Sequence, residues 1–462
     1  MNLGPEVSPA ATAWLPGSGA FSGAGERRLA TLGLSLLALT LAALALHLPG
    51  ADTVGSPGRK DLFVALLCVA AVIQFAAVAT VWRGVPARAV WLVIAVAVAL
   101  RIGPLLAPPF LSSDVYRYVW DGRVQAAGVN PYVYPPADPA LAALRDAAVF
   151  PHINRAATAP TIYPPAAQVL FAGLGLAAPG VTGVKAAMVA FEALAMAVAA
   201  MVLRRLGLAP ARIVVWAWNP LAVWACAGNG HVDAAAAGLL AVALLLAGRG
   251  RAVPAGMAFG AAALCKFLPL AVAPALWPRG GWRWAVAALA TMLALYGYYA
   301  AAGRQVLGFL SGYAAEEGLS DGSGVWLLAG MSRLTKLPHS AGIVYAGLAA
   351  ACLVGLAAWI GLVRRPRGDA GIWRAAGVLM AAVTVAISPH YPWYFAWLAL
   401  PAIVVPSRTL VWLSTAPVLL YIDLPSDRFI LPALIYLPAL VLAFADSRRP
   451  PCASRSVTGE AT

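Results

Sequence analysis

Four acidic residues, Asp114, Asp121, Asp138 and Asp146, fall in one polar segment between two long apolar runs. The segment opens SSDVYRYVWDGRVQAAGVNPYVY, residues 112–134, dense in polar and aromatic side chains in a chain that is otherwise almost all apolar. Asp114 follows the end of an apolar run by a few residues, which puts its carboxylate at a membrane surface. A partly desolvated carboxylate there has a raised pKa and can take a proton from a sugar hydroxyl. The competing role is that of a helix N-cap, the commoner use of Asp in an SSD sequence. For Asp121 and Arg117 the plain alternative is a surface ion pair, which is worth little.

The same segment continues Asn130-Pro131-Tyr132-Val133-Tyr134-Pro135-Pro136 and returns to apolar sequence through Thr161-Ile162-Tyr163-Pro164-Pro165. Prolines fix the chain there, and tyrosines and Trp120 offer flat faces and hydroxyls suited to sugars or lipid headgroups. An interfacial aromatic belt would use the same residues without a ligand. Within the apolar part ionisable groups are few, and the notable ones are Glu192, His231 and Asp233 in GNGHVD, Lys266 in CKFLP, and His390 in SPHYPWYF. A charge at bilayer depth costs about 2.5–3.5 kcal/mol on insertion scales, so each must pair, reach water or meet a ligand. Lys266 suits a phosphate, or else a buried pair with Asp233. Glu192 reads as an interhelical hydrogen-bonding residue. His390 is a phosphate contact or an interfacial helix end, and His152, beside Asn154 in FPHIN, is a candidate sugar contact. His47 and His339 are unremarkable.

The elements that must position these residues follow from composition. Of 462 residues, 62% are hydrophobic and 11% charged, with mean hydropathy +0.80. A soluble protein carries about 25% charged residues, so this is a polytopic membrane protein. The net charge of +14 comes from arginines clustered between apolar runs, Arg27-Arg28, Arg204-Arg205, Arg364-Arg365-Arg367 and Arg448-Arg449. That is a positive-inside distribution with some affinity for anionic lipid, rather than a nucleic-acid surface. Cys68, Cys226, Cys265, Cys352 and Cys452 have neither metal-ligand nor CxxC spacing, which argues against zinc or a disulfide framework.

Apolar runs fall at 29–49, 61–82, 88–107, 164–178, 182–203, 212–227, 232–248, 253–276, 283–301, 341–363, 373–388, 393–405, 409–421 and 428–445. They predict an all-α, polytopic transmembrane bundle of 11–14 helices. One transmembrane domain is expected over 29–445, with external loops at 108–163 and 302–340. Residues 1–28 read as a disordered cytoplasmic N-terminus without a cleavable signal peptide, and 446–462 as a cytoplasmic tail. Placing the arginines inside makes Gly228–Asp233 face out and leaves two runs short of a full crossing. The candidates are 164–178, which ends in Pro179-Gly180, and 253–276, which contains Pro269 and Pro274. Broken helices are tolerated where protein or a polar cavity covers the freed backbone.

Within the first loop, a helix from Ser112-Ser113 to a stop at Gly128 and Asn130-Pro131 places Asp114, Arg117 and Asp121 on one face. Val115, Val119 and Ala126 lie towards the other. The expectation is a short helix in the membrane interface, apolar side down, with its carboxylates and guanidinium facing water.

No Walker loop, GxGxxG before a helix, HExxH or DxD run is present, so nucleotide binding by the usual devices is unsupported. The ordered set SSDVYRYVWDGRVQAAGVNPY, TIYPPAAQVLF, RRLG…WNPLAVWACAGNGHVDA, GMAFGAAALCKFLPLAVAP and ISPHYPWYFAW carries a likeness from about 88 to 405. It resembles the integral-membrane glycosyltransferases of the GT-C superfamily, and most of all the bacterial polyprenol-phosphate-mannose-dependent mannosyltransferases. The resemblance implies a polyprenyl-phosphate hexose donor bound from the external leaflet, a lipid or glycan acceptor, and no metal or other cofactor. It implies a base early in the first external loop, matched by Asp114, and a second acidic position matched by Asp121. With it, the expected donor- and substrate-binding set is Tyr116, Arg117, Asp121, Arg123, Asn130, Tyr132, Tyr163, His231, Asp233, Lys266, His390 and Tyr391. The enzyme is expected in the inner membrane with its site facing the periplasm, transferring with inversion. Alternatives of another class are a secondary transporter or lipid flippase, and a lipid-linked glycan ligase or polymerase using a diphosphate donor.

Overall fold

The computed structural model describes residues 23–46, 57–318, 321–338, 340–422 and 428–448. The readings made for residues 1–22, His47, His339, the 423–427 turn and the tail from 449 lie outside the described residues. Every element among the described residues is helical.

Among the described residues seven helices are long and apolar enough to span a membrane. They are α1 (Gly23–Ala45), α2 (Pro57–Arg83) and α3 (Ala89–Leu106), then α6 (Val181–Arg205), α13 (Ala341–Arg364), α14 (Gly368–Ile387) and α17 (Ile430–Ser447). Between α3 and α6 lie α4 (Asp114–Ala126) and α5 (Pro165–Ala177). After α6 come α7 (Pro220–Gly228) and α8 (Asp233–Gly248), bent 113° from one another, and together they bring the possible spans to eight. Then follow α9 (Ala252–Cys265), α10 (Ala273–Tyr298), α11 (Leu310–Glu316) and α12 (Trp326–Ser332). The short α15 (Pro392–Val404) and α16 (Arg408–Thr415) precede α17.

Among the described residues fewer helices are full-length spans than the 11–14 expected, and proline and glycine explain the difference. The 164–178 run forms only the 13 residues of α5. The 253–276 run stops at Cys265, passes through an extended Lys266, and resumes as a 3₁₀ turn, Leu268–Val272. α10 is broken at Gly281, whose φ is 51°, and the 393–405 run starts at Pro392 as 3₁₀ helix. A helix ends where the backbone N–H is missing or φ turns positive.

Outward faces are apolar: α13 leaves Ile343, Leu348 and Val354 exposed, a surface that a hydrocarbon surround covers. One pair of charges in the interior is closed off. Arg101 of α3 and Glu192 of α6 pair through Nη2 and Oε1 at 3.0 Å and through Nε and Oε2 at 3.1 Å. Arg101 also donates to the Ala97 and Ala217 carbonyls, and Trp216 Nε1 donates to Glu192 at 2.8 Å. Glu192 is thus the interhelical hydrogen-bonding residue expected of it.

The first loop is the largest correction. α4 does not lie with a wet face outward: Val115, Arg117, Tyr118, Val119, Trp120, Asp121, Gly122 and Val124 are all buried. It packs on α5 through Gly122 and Gly175, where a Cβ on either would run into the other's helix backbone. Two helices this close leave no water layer, so the polar residues of α4 find partners within the protein. The length and stop of α4 do follow the sequence: it ends at Ala126, and Gly128 takes a φ of +78°.

Candidate active site

Asp114 is the first residue of α4 and lines a cavity of about 1160 Å³. The N-cap position is Ser113, which makes no side-chain cap, and the Ser112 hydroxyl accepts the Asp114 N–H at 3.3 Å. The Asp114 carboxylate is therefore free of the capping role and turns towards the cavity with 21% of its side chain exposed. Asn154 Nδ2 donates to its Oδ1 at 3.2 Å, and His231 Nδ1 lies 3.7 Å from its Oδ2. Burial raises its pKa from the ordinary 3.8, against the opposing pull of the Lys266 ammonium and the Asn154 hydrogen bond.

Two structural devices bring the other polar groups to Asp114. Lys185 of α6 donates to the Pro104 and Ala107 carbonyls at 2.7 and 2.5 Å. It thereby satisfies carbonyls left open where α3 ends and fixes the start of the strand of loop leading to Asp114. The break between α7 and α8 provides the second. Asn229 Oδ1 accepts both the Phe110 and Leu111 N–H groups at 3.1 Å, and Gly230 turns the chain with a φ of +67°. The GNGHVD turn is thus latched to the residues just before Asp114.

Lys266, in the gap after α9, lines the same cavity. Its ammonium sits 2.6 and 2.7 Å from the two oxygens of Asp233 and 3.7 Å above the Tyr394 ring. Both readings of Lys266 meet here: it is paired with Asp233, yet 16% of it remains exposed. Tyr116, Arg155, Tyr163, Tyr391 and Tyr394 complete the polar wall, while Leu268, Leu270, Ala271, Val383 and Ile387 make the rest apolar. The aromatic wall is layered, with His231 stacked on Trp393 at 4.1 Å and Trp393 on Tyr391 at 4.7 Å.

Of the residues singled out by sequence, the cavity thus gathers Asp114, Tyr116, Arg117, His152, Tyr163, Lys266 and Tyr391. Arg117 reaches its edge with a guanidinium committed to carbonyls, donating to Ala159 O at 3.2 and 3.1 Å and to Asn154 O at 3.1 Å. Its burial lowers its pKa. Asp233 stands behind Lys266, and His231 is wholly buried behind Asp114.

The remaining five lie elsewhere. Asp121 is buried and accepts from Gln168 Nε2 at 2.8 Å, with burial raising its pKa against the pull of Arg117. Arg123 pairs with Asp146 at 2.7 Å and donates to Leu144 O at 3.0 Å, stapling the loop. Asn130 accepts the Tyr132 N–H, and the Tyr132 hydroxyl donates to Tyr163 O at 2.7 Å. His390 pairs with Glu317 at 2.9 Å. These side chains shape the walls of the site from outside it.

Sequence reasoning passed over Arg155 and gave the 302–340 loop no part in the site. Arg155 lines the cavity with a φ of 52°, pairs with Glu316 at 2.5 Å and lies near the Tyr313 ring. Tyr313 in turn meets the Tyr394 hydroxyl at 2.7 Å. Adjacent acidic residues, Glu316 and Glu317, are the local signal beside α11, which lines the cavity through Leu310, Tyr313 and Ala314. Among the described residues no three His, Cys, Asp or Glu side chains are grouped as metal ligands would be.

Residues 161–389 match the family model of glycosyltransferase family 87. The matched stretch takes in His231, Asp233 and Lys266 and begins after Asp114. No curated protein and no solved structure matches the chain. With the spanning helices, the match indicates a multi-pass membrane glycosyltransferase.

Proposed function

We propose that the chain moves a hexose, mannose in the first instance, from a polyprenyl-phosphate donor to a lipid or glycan acceptor, with inversion and with Asp114 as the base. The observation that carries this reading is the meeting of Asp114 and Lys266 on one cavity lined by both polar and apolar side chains. A sugar phosphate with a prenyl tail needs both. The acceptor oxygen attacks the anomeric carbon and its proton passes to the Asp114 carboxylate. The bond from that carbon to the phosphate oxygen breaks, and its electron pair leaves with the lipid phosphate. Lys266 and Arg155 face the growing negative charge. Arg117, spent on carbonyls, and His390, held by Glu317, are assigned to shaping the site.

The reading places the site on the extracytoplasmic side of the inner membrane, within one domain over 29–445. Helix direction supports this. α6 runs from the site to Arg204-Arg205, α8 runs from Asp233 to Arg249, and α14 runs back from Asp369 to Ile387 at the cavity. Arg205 pairs with Asp369 at 2.7 Å, and a Cβ on Gly248 would clash with Asp369, so these ends lie together. Arginine-rich ends belong in the cytoplasm.

The test is transfer of label from a polyprenyl-phosphate mannose in membranes containing the wild type or Asp114→Asn. The variant should keep its fold and donor binding while turnover falls by about 10²–10⁴-fold. Full activity in Asp114→Asn removes it from the base role, and uptake of label without transfer favours a transporter.

A further inference from the structure

His231 has no exposed surface, and neither ring nitrogen has a hydrogen-bond partner. A buried histidine left this way costs free energy and calls for an explanation. Its ring is not loose. Trp393 holds it in a near-parallel stack, 19° between planes, and the adjacent Gly230 packs on Val115 and Lys185. Within that grip Nδ1 faces Asp114 Oδ2 at 3.7 Å, while Asn154 donates to the other carboxylate oxygen. A distance of 3.7 Å is longer than a formed hydrogen bond. Catalytic hydrogen bonds are often long in the unliganded protein and tighten once substrate is bound.

We propose that His231 is the positioning residue of Asp114, donating from Nδ1 to Oδ2 in the working complex so that Asn154 and His231 hold the two carboxylate oxygens. This rests on Asp114 being the base. It replaces a substrate contact for His231, whose side chain does not reach the cavity lining. The neutral imidazole with its proton on Nδ1 is sufficient. Its work is to fix the plane of the carboxylate, so that a lone pair meets the acceptor hydroxyl, and to favour the charged form in a desolvated place. Lys266, Asp233 and Arg155 also act on Asp114, and the Tyr118, Tyr163, Tyr391 and Tyr394 hydroxyls lie near it. All of these side chains are retained in the residue 231 variants.

Two measurements on the full chain in membranes test the proposal. The first is transfer from labelled polyprenyl-phosphate mannose as a function of pH. His231→Leu should lower turnover by about 10- to 100-fold and move the acidic limb up by about one pH unit. An asparagine places its amide N–H where Nδ1 stands, whereas a glutamine reaches the position of Nε2. His231→Asn should therefore recover most of the turnover and His231→Gln should not. The second measurement needs no donor. The difference in thermal stability between each protein and its Asp114→Asn derivative, followed with pH, reports the Asp114 titration, and its midpoint should rise in His231→Leu. Unchanged midpoints, or equal losses in the Asn and Gln variants, overturn the positioning role. Full activity in Asp114→Asn, by contrast, sinks the base assignment.

Discussion

Arg101–Glu192 and Lys266–Asp233 are two ion pairs of the helical body that are built differently. Arg101–Glu192 is closed: its side chains are 6% and 0% exposed, and carbonyls and the Trp216 indole satisfy what the pair leaves over. Lys266–Asp233 is open: its side chains are 16% and 8% exposed, and the ammonium fronts the cavity. Both solve the problem of holding charge at low dielectric. The closed pair can only be structural, because no ligand reaches it. The open pair keeps a cation in reserve, since an anion entering the cavity can share Lys266 with Asp233. Pairing by itself says nothing about function; access does.

The contrast is sharpest in stability. Glu192→Leu strands Arg101, and unfolding free energy should fall by about 3–5 kcal/mol, whereas joint replacement by Arg101→Met and Glu192→Leu should restore most of it. Thermal unfolding of the detergent-solubilised protein checks this, and a harmless single variant would erase the distinction. Lys266→Met should do the reverse. Turnover falls by about 100-fold, while stability falls by only about 1–2 kcal/mol because the Lys266–Asp233 pair is less completely desolvated than Arg101–Glu192. A loss of fold as severe as in Glu192→Leu would class the two pairs together.

The pH dependence follows from the carboxylates of α4. Asp114 and Asp121 both have pKa values raised by burial from 3.8, so the folded protein binds protons more tightly than the unfolded chain. Stability contributed by these groups is therefore lost as pH rises from about 4 through their folded pKa values. Activity should rise over the same interval, because the base must be charged. Asp114→Asn should abolish the activity limb and leave the Asp121 share of the stability slope. The smallest effect belongs to Arg205→Ala at the arginine-rich end. Arg205 is 42% exposed and Asp369 buried, so loss of the pair should cost about 1 kcal/mol with turnover unchanged, as measured by the same melting and transfer assays.

Much of the site was legible because the chemistry was rare. Lys266, Asp233 and His231 stand out as ionisable groups in apolar sequence, and the structure brings them to Asp114. The Lys266 break was visible in its neighbouring prolines. By contrast Asp121, Arg123, Asn130 and Tyr132 look alike in sequence to a cavity lining, yet they brace it from outside. Their spacing fits a wet helix face, and only the close approach of Gly122 to Gly175 turns that face inward. Arg155 was not legible, since a loop arginine carries no periodic signal and its place depends on the remote Glu316.

Local pattern alone determined that the chain is a helical membrane protein, where its helices break, and that Asp114 begins a short helix after an apolar one. These follow from side-chain solvation and from proline and glycine backbone geometry, which act over a few residues. Which polar groups share water with a ligand was decided by tertiary structure. It depends on contacts such as Asn229 with Phe110, Lys185 with Ala107 and Asp233 with Lys266, which join residues 33 to 119 positions apart. Burial is a property of the packed whole, and no run of sequence carries it.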